Sequence, residues 1–126
     1  MIVGIGVDLV EIERIRAIHQ RHGDRFVKRI LTPAEAAYVL EHKDPAQRLS
    51  GRWAAKEAAL KALGTGLAEG LSWRDLEILP DERGKPVLQL FGKARERAAL
   101  LQAGRCHITI THSEGLALAQ VILERL

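Results

Sequence analysis

Two carboxylates and a lysine stand where charge is hard to accommodate. Asp8 closes the run IVGIGVDL at 2–9, in which Val3, Ile5, Val7 and Leu9 alternate with Gly4, Gly6 and Asp8. That is the alternation of a strand. The pattern predicts that the branched residues face the core and that the other face is nearly bare backbone ending in a carboxylate. Two glycines on one strand face mark a place that something approaches closely, whether a neighbouring helix or a ligand. Glu57 and Lys61 lie in RWAAKEAALKALGTG at 52–66. At about 100° per residue, Leu49, Trp53, Leu60 and Leu63 form one apolar stripe, and Ala54, Ala55, Ala58, Ala59 and Ala62 form a smaller-side-chain face opposite it. Lys56 falls near the centre of the leucine stripe. Glu57 and Lys61 follow a seam between the two faces.

Charges so placed are costly unless they are paired, hydrogen-bonded or bound to an ion. One reading is an internal salt bridge from Lys56 or Lys61 to a nearby acid, or a buried stem whose head reaches water. The other makes Glu57 a ligand to a hard cation and Lys61 a phosphate contact, both aimed into a cleft. Gly64-Thr65-Gly66 is open in the same way. It is no Walker loop, because the lysine precedes the glycines. Gly64 can cap the helix, and glycine-rich backbone beside a lysine is also a seat for phosphate. Farther on, His107, Thr109, Thr111 and Ser113 share one strand face. His107 therefore lies on a polar face, as a catalyst or as a strand-end histidine bonded to the backbone. His112 points the other way, with Ile108 and Ile110, and reads as a core histidine.

The elements that must position these residues follow from periodicity. Glu11 to roughly Arg21 is helical, with Ile12, Ile15 and His19 on one face. Gly23 interrupts it, and Asp24 can cap a short second helix that turns Phe26, Val27 and Ile30 inward. Thr32-Pro33-Ala34-Glu35 is a capping box with proline at the first helical position, starting a third helix that runs to about His42. The long helix spans about Ala46 to Leu63. A strand within Leu71–Pro80, a turn at 81–85 and a partner at Pro86–Phe91 predict a hairpin. A helix over Lys93–Gln102 and two strands, 107–113 and 116–123, complete the chain. Helices and mostly antiparallel strands mix in one α+β domain covering 1–126.

The chain has 126 residues, 47% of them hydrophobic, enough for one core. Only 4% are aromatic, which argues against a base-stacking nucleic-acid surface. The single cysteine, Cys106, cannot form an internal disulfide. The amino terminus has neither a basic leader nor a long apolar run, so a cytoplasmic protein with no membrane segment is expected. The net charge of +3 conceals a local imbalance, because residues 14–29 hold six Arg or Lys and one acid. Arg14, Arg21, Arg25 and Lys28 would share one narrow arc if that segment were a continuous helix. A small basic nucleic-acid module and a metal-dependent phosphodiesterase using Asp8 and Glu57 are the rival readings.

GIGVDLVEIERI at 4–15, RILTPAE at 29–35, GRWAAKEAALKALGTG at 51–66, RGKPVLQL at 83–90 and HITITHSEGLALAQVILE at 107–124 together resemble holo-acyl-carrier-protein synthase. This is the short bacterial class of the 4'-phosphopantetheinyl transferase superfamily. The resemblance implies that 4'-phosphopantetheine passes from coenzyme A to a serine of apo-acyl carrier protein, with Mg2+ required and adenosine 3',5'-bisphosphate released. It also implies metal-binding carboxylates at Asp8 and Glu57, and homotrimers with active sites between subunits. Two positions depart from the family pattern: Ala59 replaces a frequent aromatic, and Trp53 replaces a common Phe.

On that footing Asp8, Glu57, Lys61 and His107 are the candidate catalytic residues. The serine proton has three candidate acceptors: a metal-bound water, Glu57 and His107. Coenzyme A would be held by Lys61, with Arg52, the Gly64 backbone and His107 as further contacts. Lys43 either reaches the 3'-phosphate or is a solvated loop lysine. Arg14, Arg21, Arg25 and Lys28 would meet the acidic carrier protein.

Overall fold

A computed structural model describes residues 1–126. Strand β1 (Ile2–Glu11) leads directly into α1 (Ile12–His22), followed by α2 (Asp24–Ile30), α3 (Pro33–Val39) and the long α4 (Ala46–Leu63). A 3-10 turn (Trp73–Asp75), β2 (Leu76–Pro80), β3 (Pro86–Leu90), α5 (Gly92–Leu100), β4 (Arg105–Ser113) and β5 (Leu116–Glu124) complete the order. The strands form an antiparallel sheet in the order β1-β5-β4 and a separate β2-β3 hairpin, so the architecture is α+β.

The sheet and α4 are held together by the absence of side chains. A Cβ on Gly6 would stand 1.9 Å from the carbonyl oxygen of Ala58, and one on Gly4 would stand 2.2 Å from that of Ala62. Strand backbone thus lies directly on helix backbone, and the alanine face of α4 is buried against it. This reverses the face expected for β1. Ile5, Val7 and Leu9 are 58%, 49% and 56% exposed, and Val3 is only half-buried. The glycine face is the inward one because only glycine lets a helix sit so close. Across the sheet, Ile5 aligns with Ile122 and His107, Val7 with Gln120 and Thr109, and Leu9 with Leu118 and Thr111. On β5 the alternate residues Ala117, Ala119, Val121 and Leu123 face the core. One side of the sheet is therefore packed, and the other is open, mostly apolar along β1 and β5 and polar along β4.

The helix signals in the sequence place the remaining elements well. Thr32 and Glu35 form the expected capping box of α3, although that helix ends at Val39 rather than near His42. Gly23, with φ 53 and ψ −129, ends α1 and precedes α2; Asp24 is the first residue of α2 and does not cap it by its side chain. Arg14, Arg21, Arg25 and Lys28 consequently do not share one helical arc. The α4 boundaries match the expected ones, and Gly64 closes it in the left-handed conformation at φ 82. A cluster of 28 buried apolar residues forms the core between α4, the sheet and the shorter helices.

Candidate active site

Strand β1 and helix α4 bring Asp8, Glu57 and Lys61 together. The close backbone packing at Gly4 and Gly6 delivers Asp8 to the flank of α4, and Lys61 Nζ reaches the Val7 carbonyl at 3.0 Å and Asp8 Oδ1 at 3.3 Å. The Asp8 side chain is 18% exposed, and that of Lys61 is 53% exposed. Glu57 lies one turn from Lys61 on the same side of α4. Its carboxyl is pushed above the ordinary range, first by partial burial and then by the Asp8 charge, with Lys61 and Arg14 acting in the opposite sense. The two carboxylates are thus near enough for the charge of Asp8 to act on Glu57. A hard cation relieves that repulsion. No three His, Cys, Asp or Glu side chains are grouped so as to hold a metal. Two carboxylates can still hold Mg2+, which keeps several waters and takes the rest of its shell from substrate oxygens.

Lys56 belongs to a different structure. It is wholly buried and bonds Glu35 Oε1 at 2.6 Å, the Ile30 carbonyl at 2.6 Å and the Trp73 carbonyl at 3.1 Å. The internal salt bridge was one of the two readings of this helix, and it is the one that holds for Lys56. For Lys56, burial lowers the readiness to hold its proton, and Glu35 opposes that.

Arg52 leaves α4 nine residues before Lys61, about half a turn away around the helix, and is not brought to the carboxylates. It is 7% exposed and its Nε donates to the Ile78 carbonyl at 3.3 Å. Its guanidinium and that of Arg48 lie 4.8 and 4.1 Å from the centre of the Tyr38 ring. Burial lowers the Arg52 pKa from its ordinary value, while Tyr38 and Glu35 oppose the change. Both arginines line a cavity of about 360 Å³ together with Tyr38, His42, Gln47 and His112. His112 is exposed and bonded to Gln47 Nε2, which overturns its assignment as a core histidine: β4 runs past the core before it reaches that residue. Arg48 and His112 line this cavity and are not among the candidates named from the sequence. The i, i+4 spacing of Arg48 and Arg52 on one helix was the available signal.

His107 lies on the open face of the sheet, opposite the side packed by α4, and bonds Glu124 at 3.0 Å. Within one chain it does not approach Asp8 or Glu57. Gly64 acts as the helix C-cap, donating to the Leu60 and Lys61 carbonyls, so its N–H is already engaged. Lys43 is exposed in the loop before α4. Arg14, Arg21, Arg25, Lys28 and Arg29 are exposed and make no salt bridge, whereas Arg16 pairs with Glu13 and Asp44. Arg25 and Arg29 rim a second cavity, of about 460 Å³, whose walls include Ile18, Phe26, Trp53 and Trp73.

The fold is that of the 4'-phosphopantetheinyl transferase superfamily. Residues 4–120 match the model of the 4'-phosphopantetheinyl transferase superfamily. A holo-acyl-carrier-protein synthase of Solidesulfovibrio magneticus is 52% identical over 124 residues, covering 98% of this chain and 99% of that protein. The crystal structure of the Neisseria meningitidis synthase superposes with a TM-score of 0.89 at 36% identity, covering 99% of this chain and all of the other. The Helicobacter pylori synthase, solved in complex with coenzyme A, gives 0.84 at 31% identity over 95% of this chain and 99% of its own. The chain belongs to the holo-acyl-carrier-protein synthase family.

Proposed function

We propose that the protein transfers 4'-phosphopantetheine from coenzyme A to a serine of apo-acyl carrier protein, releasing adenosine 3',5'-bisphosphate and supporting fatty acid synthesis. The observation that carries this reading is the convergence of Asp8, Glu57 and Lys61 at the glycine-packed contact of β1 with α4. The serine oxygen attacks the β-phosphorus, the bond from that phosphorus to the bridging oxygen breaks, and the leaving bisphosphate keeps the electron pair. Asp8 and Glu57 would hold Mg2+, which neutralises pyrophosphate oxygens as charge shifts to the leaving group. Lys61, half-exposed beside Asp8, adds a positive donor to the same phosphates. Glu57 or a water beside it would receive the serine proton.

The cavity of Arg48, Arg52, His42 and His112 suits the adenosine bisphosphate end. A nearly buried guanidinium with one neutral hydrogen-bond partner attracts an anion. This keeps Arg52 as a coenzyme A contact and adds Arg48 and His112. Asp8 stands on β1 with Glu57 beside it on α4, whereas this cavity borders β4; β1 and β4 are the two edges of the sheet. The open apolar face with Ile5, Val7, Leu9, Leu118 and Ile122 invites further copies of the chain. A homotrimer covering that face would join the nucleotide cavity of one copy to the carboxylates of another. It would also give His107 its only route to a neighbouring site.

The unpaired cations on α1 and α2 supply a docking surface for an acidic carrier, and the cavity rimmed by Arg25 and Arg29 receives its apolar side chains. No helix is long and apolar enough to cross a membrane, and we place the enzyme in the cytoplasm. Incubation with apo-carrier, coenzyme A and Mg2+, followed by mass spectrometry, tests the assignment. One phosphopantetheine added per carrier is expected. Adenosine bisphosphate released while the carrier stays unmodified would instead make the protein a phosphodiesterase.

A further inference from the structure

Lys56 is the charge of α4 that the transfer chemistry leaves unused. Its ammonium places its hydrogens on Ile30, Glu35 and Trp73. Glu35, equally buried, accepts the Thr32 N–H at 2.9 Å through Oε1 and the Ile78 N–H at 2.8 Å through Oε2. The carbonyl of Ile78 in turn accepts from Arg52. The pair therefore ties the end of α2, the 3-10 turn and β2 to α4, one residue before Glu57. Ile30 and Trp73 are walls of the carrier-side cavity, and Arg52 lines the nucleotide-side cavity.

Stability alone does not call for charges here. A buried ion pair can often be replaced by apolar side chains of similar volume without loss, because desolvation offsets most of the attraction. An apolar pair cannot bind two main-chain carbonyls and two main-chain N–H groups, and so cannot fix where those segments stand. We propose that Lys56 and Glu35 are positioning residues that set both cavities relative to Glu57. Lys56 governs the carrier side, and Glu35, through the Ile78 peptide, governs the nucleotide side. The inference rests on the transferase reading above.

Two variants separate the roles. Glu35→Gln keeps an oxygen for Lys56 but presents an NH2 group where the Ile78 N–H needs an acceptor. It should raise the KM for coenzyme A on the order of tenfold while leaving the KM for carrier within about twofold. The double variant Lys56→Met/Glu35→Gln removes the ammonium without stranding a buried carboxylate, and it should also raise the KM for carrier on the order of tenfold. Reduced turnover with both KM values unchanged, or failure of both variants to fold, would mean that the pair serves only the fold and would overturn the proposal. A wild-type protein that leaves carrier unmodified would refute the transferase reading instead. In that case the brace is judged by hydrogen exchange at the Ile78 amide and by the emission of Trp53 and Trp73, whose rings stack at 4.9 Å. Both should change in the folded double variant, and unchanged values would overturn the positioning role.

Discussion

Replacing Gly6 by alanine tests whether backbone contact builds the active site. The added methyl would lie 1.9 Å from the Ala58 carbonyl oxygen, 2.9 Å from its carbonyl carbon and 2.9 Å from the Ala62 nitrogen. All three are main-chain atoms in a buried helix, so no rotamer change relieves the overlap. An ordinary contact needs more than 3 Å, so β1 and α4 must separate by roughly an ångström at this point. Overpacking of this kind costs about 1–3 kcal/mol, and a protein of this size should lose about 4 °C in Tm for each kcal/mol. Asp8 is two residues along the same strand face, so the separation also carries its carboxylate away from Glu57 and Lys61. A displacement of that size lowers turnover by on the order of a hundredfold when reacting groups must align. Differential scanning calorimetry and the carrier-modification assay read the two effects. The variant should need much higher Mg2+ to recover part of its activity. Wild-type melting and wild-type turnover in Gly6→Ala would refute the claim that glycine-mediated packing of β1 on α4 positions the carboxylates.

Glu57→Gln should abolish most Mg2+-dependent turnover yet melt at or above the wild-type temperature at neutral pH without metal. The sign follows from the raised pKa: a carboxyl that binds its proton more tightly when folded stabilises the fold at acid pH, and that contribution is lost as pH rises through the ordinary carboxylate range into the raised one. For the same reason Mg2+, competing with that proton, should bind more weakly as pH falls into the raised range, as isothermal titration would measure; pH-independent affinity there would argue against Glu57 as a ligand. Arg21→Glu should raise the KM for carrier about tenfold with little change for coenzyme A, and wild-type KM values should rise with salt for carrier more than for coenzyme A. Val7→Asp on the open sheet face should convert the proposed homotrimer to monomer in sedimentation experiments, with turnover lost alongside; a monomeric wild-type protein would remove the shared-site reading.

Local order was legible without coordinates wherever one segment carries its own signal. The Thr32–Glu35 capping box, the Ala46–Leu63 span of α4 and the break at Gly23 each depend on residues within a few positions. The seam holding Glu57 and Lys61 was equally visible, because helical angle is a property of one element. What a segment touches was not visible. Alternation separated the two faces of β1 but could not say which one is covered, and the helix that settles it lies some fifty residues later in the chain. Lys56 offered two readings because its partner Glu35 is 21 residues away. His112 was misplaced because a strand's alternation continues past the edge of the core it packs against. Arg52 and His107 carry the right chemistry, but tertiary structure sets Arg52 half a helical turn from Lys61 and His107 on the opposite sheet face from Asp8. Periodicity is fixed by covalent geometry and can be read from sequence; the pairing of distant surfaces is chosen by packing, and only the folded chain decides it.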